Sequence, residues 1–303
     1  MEKINGIESS ITTQKVKKSK KEPKEKGSWR ALGASQVAGM ASLPIGMASV
    51  AGMSQVNKKL SPDQIKAINE AAEKALKDSG LAEKGVEIIN LTEDDLGVKL
   101  KGWKDSLLST FSTQYATAKG KNAFYHPMLN SIGVNKDKFS TATFHEIGHA
   151  FNANKSKFWG AMQKMRMPSM LLATSLAIFA AFTKKAEAKD GEELTKGQKA
   201  KNFVRNNAGY IAGASMLPVV AEEIMASIRG CKWANANLPK ELTKKVKTTN
   251  IFGAVSYVAA SAAVALSAFV ATKVKDSIME KQKAKFEAEQ NNNIQPQQKV
   301  VEE

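Results

Sequence analysis

The clearest pattern in this chain is the alternation of uncharged apolar runs with lysine-rich polar stretches. Three runs are strongly apolar: residues 167–183, 206–221 and 248–272. A helix that crosses a bilayer needs about 20 apolar residues, so the third run predicts a transmembrane helix. The first two runs are shorter, but basic side chains at their ends can reach the interface and extend them. They predict a transmembrane hairpin, with a pair of buried helices in a soluble domain as the alternative.

A fourth uncharged segment, residues 31–57, is diluted by Gly, Ala and Ser. It fits a membrane-associated helix that is a weak span, a re-entrant segment or a surface helix, and the sequence does not choose among these. The ends of the chain are polar. Residues 1–30 predict a disordered basic arm and residues 273–303 a polar tail. The remaining domain is expected over residues 58–247, with the hairpin inside it.

The segment before the hairpin has the pattern of a water-soluble domain. Ser61 followed by Pro62 predicts a helix start, an apolar face follows, and Gly80 predicts its end. Residues 86–91 and 98–100 are strand-like, and residues 122–135 are expected to be extended.

The charge balance changes the expected partners. The chain has 45 Lys+Arg against 29 Asp+Glu, a net charge of +16. The lysines cluster beside apolar runs, which favours membrane lipid as a partner. No basic stripe with interleaved aromatic residues is present, so nucleic acid is not expected. Cys231 is the only cysteine, which excludes an internal disulfide.

Candidate chemistry is concentrated in the segment His145-Glu146-Ile147-Gly148-His149. On a helix, residues four apart lie on one face, so the two imidazoles can bind one zinc ion. The glutamate between them can handle a water bound to that metal.

A third ligand must come from elsewhere in the chain, because a catalytic zinc usually has three protein ligands. A metzincin would have its third histidine where this chain has Lys155, and residues 150–186 contain no acid. The acids of residues 187–193 belong to a polar loop and are expected to be solvated. Glu222 and Glu223 remain, and an acidic pair in an apolar helix is costly unless something binds it. The two predicted crossings return this pair to the side of His149.

Three stretches together resemble a known class of enzymes. They are Asn122-Ala123-Phe124 with Pro127 and residues 132–135, the segment His145–Ala150, and Glu223-x-x-Ala226-Ser227-x-x-Gly230. They are similar to membrane-embedded zinc metallopeptidases of the gluzincin type, the HtpX-like proteases and the YugP-type neutral zinc membrane peptidases. Ser227 is closer to the YugP-type motif, whereas the Asn-Ala-Phe strand is closer to the HtpX-like one, so no subfamily follows.

The resemblance implies roles for individual residues. His145, His149 and Glu223 would bind one Zn²⁺ per chain, with Glu222 as the alternative metal ligand, and Glu146 would be the catalytic base. Ser227, one turn after Glu223, is expected to orient it. The strand before the zinc helix would pair with an extended peptide substrate. The residues expected along that peptide are Asn130, Ser131, Ile132, Gly133, Val134 and Asn135.

The expected fold is α+β and mostly helical: a gluzincin-like zinc peptidase domain with a small sheet, interrupted by a transmembrane helical hairpin. The expected function is a zinc-dependent membrane endopeptidase that hydrolyses membrane-associated proteins or peptides through a zinc-activated water. The alternative is an inactive membrane scaffold that keeps the fold, although an intact Glu146 argues against it. Oxyanion donors are expected among Tyr125, His126, Tyr210, Arg229 and Tyr257.

The expected localisation is a multi-pass membrane protein. Ten Lys/Arg flank the zinc side of the hairpin, four in residues 155–166 and six in residues 229–247, against seven in residues 184–205. Because cytoplasmic loops carry the excess of positive charge, this count places the active site on the cytosolic side.

Overall fold

The computed structural model describes residues 27–97, 108–109, 112–188 and 192–298. Most of these residues are helical, and three short strands form one sheet, which confirms the prediction of a mostly helical fold with a small sheet. The helices are α1 (Ser28–Gly39), α2 (Leu43–Lys58), α3 (Pro62–Asp78), α4 (Thr113–Ala118), α5 (Thr143–Lys155), α6 (Lys157–Lys164), α7 (Arg166–Phe182), α8 (Lys196–Asn206), α9 (Ala208–Ser215), α10 (Leu217–Asn237) and α11 (Lys240–Gln298). The strands are β1 (Glu87–Asn90), β2 (Phe124–His126) and β3 (Ser131–Val134).

Residues Gly27–Ile278 form one compact unit, and the described residues from Met279 onwards belong to a second unit. In the second unit the described residues, 279–298, are helical. The predicted polar tail over 273–303 is therefore helical as far as Gln298. Most of the predicted arm over 1–30, and the predicted strand over 98–100, lie outside the described residues.

Helix α3 begins and ends where its sequence signals predict. The Ser61 hydroxyl accepts a hydrogen bond from the backbone N–H of Gln64, and the Gln64 side chain accepts one from the N–H of Ser61. This reciprocal capping satisfies two backbone donors that the first turn leaves free. Gly80, with φ of 65°, follows the helix end in the left-handed conformation that glycine adopts at little cost. The apolar face packs Ile68 and Leu76 into the core of this unit.

The sheet has the order β1-β3-β2, with β3 in the centre. Strand β3 pairs in parallel with β1 and antiparallel with β2. All four residues of β3 are buried, and Ile132 packs in one core with Phe144 and Ile147 of α5. The sheet therefore packs against helix α5 through this core.

Four helical segments are long and apolar enough to span a membrane. They are Ser28–Lys58, Lys157–Phe182, Ala208–Asn237 and Lys240–Glu289. They cover most of the four uncharged runs of the sequence, which confirms that these runs form helices suited to a membrane. The two runs of the predicted hairpin, short in the sequence, belong to helical segments of 26 and 30 residues. Helical residues before the first run and after the second supply the length that the uncharged runs lack for a membrane crossing.

The apolar helices pack through small side chains. Their core consists largely of alanines, including Ala173 and Ala177 of α7, Ala212 of α9 and Ala268 of α11. Small residues let helix backbones approach closely, which is how helices associate where water supplies no driving force.

Candidate metal centre

Helices α5 and α10 cross at two glycines, and this crossing positions the site. A Cβ added to Gly148 of α5 would collide with the backbone of Ala226, and one added to Gly230 of α10 would collide with the backbone of Phe144. On α5, Gly148 lies four residues after Phe144, the residue that Gly230 contacts. On α10, Gly230 lies four residues after Ala226, the residue that Gly148 contacts. Each helix therefore uses one glycine to admit the backbone of the other. This close approach brings the histidines of one helix to the carboxylates of the other.

Three side chains converge at the crossing. The Nε2 atoms of His145 and His149 are 3.0 Å apart, and Glu223 Oε2 lies 3.2 Å from the first and 3.5 Å from the second. Ligands about 2.05 Å from a tetrahedral metal are about 3.3 Å from one another. The three distances match that spacing, so this triad can hold one metal ion. Two imidazoles and one carboxylate, with a fourth position left over, form a donor set that suits zinc.

The other ring nitrogen of each histidine has a partner of its own. His149 Nδ1 lies 2.9 Å from Glu222 Oε1, and His145 Nδ1 lies 3.1 Å from Ser227 Oγ. With Nδ1 of His149 held by Glu222 and Nδ1 of His145 held by Ser227, both Nε2 atoms lie beside Glu223 Oε2, in the orientation that binding of one metal ion needs. Glu222 thus contacts the side of His149 that faces away from the triad, and Ser227 contacts His145 rather than Glu223.

The two carboxylates are deeply buried and share one guanidinium. Arg166, at the start of α7, donates to Glu222 Oε2 at 3.4 Å and pairs with Glu223 Oε1. Asn152 donates to Glu222 Oε1 at 2.8 Å, and its own oxygen accepts from Arg229. The two buried carboxylates meet the Arg166 guanidinium on one side and the histidines on the other, so their negative charge would stabilise a cation between the histidines.

The pKa of His149 indicates the same preference for a positive charge at the site. Burial lowers the pKa of this imidazole, but Glu223 and Glu222 raise it by more, to about 10. The carboxylates therefore stabilise a positive charge at His149. A divalent cation bound at Nε2 would supply that positive charge in place of the proton.

Glu146 lies beside the triad and lines a cleft. The side chain is buried, with 6% of the residue exposed. The cleft has a cavity volume of about 140 Å³, and its walls come from α2, the chain before β2, α5 and α11. Its lining residues include Val50, Met53, Lys121, Asn122, Ala123, His145, Glu146, Gly253 and Tyr257. A carboxylate, a metal-binding imidazole and a cleft are thus adjacent.

The structure corrects the substrate strand expected from the sequence. Residues Ser131, Ile132, Gly133 and Val134 form the central strand β3, whose two edges are both occupied, by β1 and β2. A peptide cannot add to a strand that has no free edge. The side chains of Asn130 and Asn135 instead make hydrogen bonds to neighbouring segments of the chain. Asn130 accepts from the Tyr125 hydroxyl at 2.6 Å, and Asn135 donates to the carbonyl of Ala118 at 2.7 Å.

Of the five expected oxyanion donors, Tyr257 lines the cleft with Glu146. The other four have different surroundings. Tyr125 bonds Asn130 and Asn154, His126 accepts from the N–H of Leu129, Arg229 donates to Asn152, and Tyr210 is 75% exposed.

Two residues of the site have no role in the sequence-based prediction, Arg166 and Asn152. Arg166 marks the edge of an apolar run, and such an arginine normally reaches toward the interface. The sequence did contain a signal for an inward-facing arginine, because the acidic pair at 222 and 223 needs a cationic partner. Asn152 lies one turn after His149 on α5, on the same face of the helix, which the spacing alone could have shown.

No protein-family model matches the chain, and neither a curated protein nor a solved structure matches it. The function is therefore argued from the geometry of the site.

Proposed function

We propose that this protein is a zinc-dependent membrane endopeptidase, a gluzincin-type enzyme that hydrolyses peptide bonds of membrane-associated proteins or peptides. The observation that carries the proposal is the triad of His145, His149 and Glu223 at tetrahedral spacing beside a cleft that contains Glu146. Zinc bound there would polarise a peptide carbonyl and lower the pKa of a neighbouring water.

Glu146 is the general base in this proposal. It follows His145 directly on α5, so the helix that holds the metal also fixes the base. Its carboxylate takes a proton from the attacking water and delivers it to the leaving amine. Its burial keeps bulk water from competing for that proton.

Tyr257 is the proposed donor to the oxyanion. It reaches the cleft from α11, and the Arg166 guanidinium lies 5.4 Å from the centre of its ring. Arg166 pairs with the ligand Glu223, so one arginine links the metal ligand to the phenol. A hydroxyl aimed at the developing negative charge lowers the barrier most when it is fixed in advance.

The substrate is proposed to enter beside strand β2 rather than β3. Residues 121–123 line the cleft and lead into β2, an edge strand of the described sheet. An extended peptide can add to such an edge through backbone hydrogen bonds. The cleft also lies between α2 and α11, both of which belong to candidate spans. Peptides that arrive from the membrane surface are therefore the proposed substrates, with the active site on the cytosolic side as the charge distribution favours.

The test is the zinc content and proteolytic activity of detergent-purified protein. We expect one zinc per chain in the wild type and its loss in Glu223→Gln. Glu222→Gln should keep zinc with an affinity lower by about 10- to 100-fold, because it removes a partner of a ligand and not a ligand. Glu146→Gln should bind zinc normally but lose cleavage of casein. Folded wild-type protein without zinc, or a Glu146→Gln variant that still cleaves, would contradict the proposal.

A further inference from the structure

The two apolar runs of the proposed hairpin end at one level, which an ion pair marks. Arg166 precedes the first run, residues 167–183, and Glu222 follows the second, residues 206–221. The Arg166 guanidinium lies 3.4 Å from Glu222 Oε2, so these ends of the two runs lie side by side. Charged residues at the ends of apolar spans lie at the membrane interface. Where the two runs cross a bilayer, this ion pair therefore lies at its surface, on the side of the metal centre.

Helix α5 reaches that level at its C-terminal end. Near its start, the backbone of Phe144 lies against Gly230 of α10. Near its end, the Asn152 amide donates a hydrogen bond to Glu222 Oε1 at 2.8 Å. The two helices are therefore antiparallel, and each residue beyond Asn152 takes α5 about 1.5 Å further toward the apolar runs. Asn154 thus lies at the level of the membrane surface.

The turn between β2 and β3, residues 127–130, is fixed to this end of α5. The Asn154 amide donates to Asn130 Oδ1 at 3.2 Å and to the Tyr125 hydroxyl at 2.9 Å. The Asn130 amide in turn donates to the carbonyl oxygen of Lys84 at 3.0 Å. Asn130 has a φ of 50°, a left-handed conformation that asparagine tolerates better than most residues. These contacts hold the β2–β3 turn at the level of the membrane surface.

Two large apolar side chains project from this fixed turn. Met128 is 91% exposed and Leu129 is 68% exposed. Phe158, four residues beyond Asn154, is 62% exposed, and the exposed Lys157 precedes it. Single apolar residues on a protein surface are ordinary, but packing within the described residues does not account for two adjacent ones on a fixed turn. Exposed apolar side chains close to lysine suit the boundary between lipid headgroups and acyl chains.

We propose that the β2–β3 turn dips into the surface of the lipid bilayer, with Met128 and Leu129 inserted among the lipid chains. This contact is separate from the four candidate spans, because it attaches the sheet itself to the membrane. It holds β2, an edge strand of the described sheet, against the bilayer. The proposal requires the membrane location of the apolar helices, but it requires neither the metal nor peptidase activity.

The experiment places a bimane fluorophore on single cysteines of Cys231→Ser protein in phosphatidylcholine nanodiscs. The labelled variants are Met128→Cys and Leu129→Cys. Leu171→Cys is the reference for lipid, because Leu171 is 63% exposed on α7 within a candidate span. Lys66→Cys is the reference for water, because its side chain is 77% exposed on α3.

The position of α3 makes it a suitable reference for water. The Gln64 side chain, two residues before Lys66, lies 3.4 Å from Glu241 at the start of α11. The apolar run of α11 begins only at residue 248. Lys66 therefore lies on the part of the unit that is distant from the membrane.

Two quenchers report the surroundings of each label: a nitroxide attached to the lipid chains, and iodide in the water. We expect the labels at 128 and 129 to be quenched by the lipid nitroxide, as at 171, and to be shielded from iodide. The label at 66 should show the reverse. A carboxylate is costly among lipid chains, so Met128→Asp should remove the lipid quenching of a label at 129, whereas Met128→Leu should keep it.

Each result bears on one level of the argument. Iodide quenching at 128 and 129 as strong as at 66 would overturn the proposal. Shielding from both quenchers would also overturn it, because a second copy or another protein would then cover the turn. Lipid quenching at 171 that is unchanged by Met128→Asp shows that the spans remain intact in that variant. A label at 171 that iodide reaches would overturn the membrane location and the turn contact together.

Discussion

The glycine crossing of α5 and α10 makes a sharp prediction about both stability and metal binding. In Gly230→Ala the new Cβ would lie 3.0 Å from the backbone nitrogen of His145 and closer still to the carbonyl of Phe144. Both are backbone atoms, which cannot rotate away, so the helices must separate by about 1 Å to restore ordinary contact. Gly148→Ala meets the same obstacle from the other helix. Overpacking of this kind costs about 1–3 kcal/mol.

The intrinsic effect of the substitution has the opposite sign. Alanine in a helix interior is more favourable than glycine by about 0.5–1 kcal/mol. Gly253→Ala, where the Cβ has open space, should therefore gain about that amount. Gly230→Ala should lose up to about 2.5 kcal/mol, because the clash exceeds the gain.

The effect on the metal should be larger than the effect on the fold. Glu223 lies on one helix and His145 on the other, with Oε2 and Nε2 3.2 Å apart. Metal–ligand distances tolerate about 0.2 Å, so a separation of about 1 Å removes the carboxylate from coordination. We expect zinc affinity to fall at least about 100-fold in Gly230→Ala.

The assay is zinc titration together with thermal unfolding in detergent, for wild type, Gly148→Ala, Gly230→Ala and Gly253→Ala. The first two variants should be less stable and bind zinc weakly, and the third should match or exceed the wild type in stability. Wild-type zinc affinity in Gly230→Ala would refute the view that this crossing sets the metal geometry.

Three further predictions concern single side chains. Ser227→Ala removes the partner of His145 Nδ1 and should weaken zinc binding about 10-fold with no loss of secondary structure by circular dichroism, and unchanged affinity would exclude an orienting role. Tyr257→Phe should lower kcat for casein by about 10²- to 10³-fold at unchanged zinc content, whereas wild-type kcat would remove it as the oxyanion donor. Hydrogen bonds from Lys119 and Lys138 lower the pKa of Glu93 to about 2. This stabilisation is complete above the unfolded pKa of about 4.3 and is lost as pH falls toward 2, so the deficit in Tm of Glu93→Gln should shrink over that range.

Local signals in the sequence were sufficient for the elements that local chemistry determines. Ser61, Pro62 and Gly80 bounded α3, and the spacing of His145 and His149 predicted one face of a helix, which α5 provides. The uncharged runs predicted the apolar helices. In each case the deciding interactions lie within a few residues along the chain.

The parts that sequence reasoning missed depend on contacts between distant segments. The position of β3 in the centre of the sheet depends on β1, more than 40 residues earlier along the chain, which no local pattern of residues 131–134 reveals. The preference for Glu223 over Glu222 agrees with the triad that can hold a metal, but the contact of Glu222 with the far side of the His149 ring depends on how α10 is rotated against α5. The inward direction of Arg166 depends on the two carboxylates that it meets from another helix.

The order of the metal ligands along the chain has a consequence for biosynthesis. His145 and His149 emerge from the ribosome before the proposed transmembrane hairpin, and Glu223 follows only in the segment Ala208–Asn237 that would form its second limb. A nascent chain that lacks the second limb holds two of three ligands, without the crossing that aligns them. The proposed protease would thus gain its metal only after both limbs are inserted and packed, so membrane insertion would act as the activating step and protect soluble proteins during synthesis.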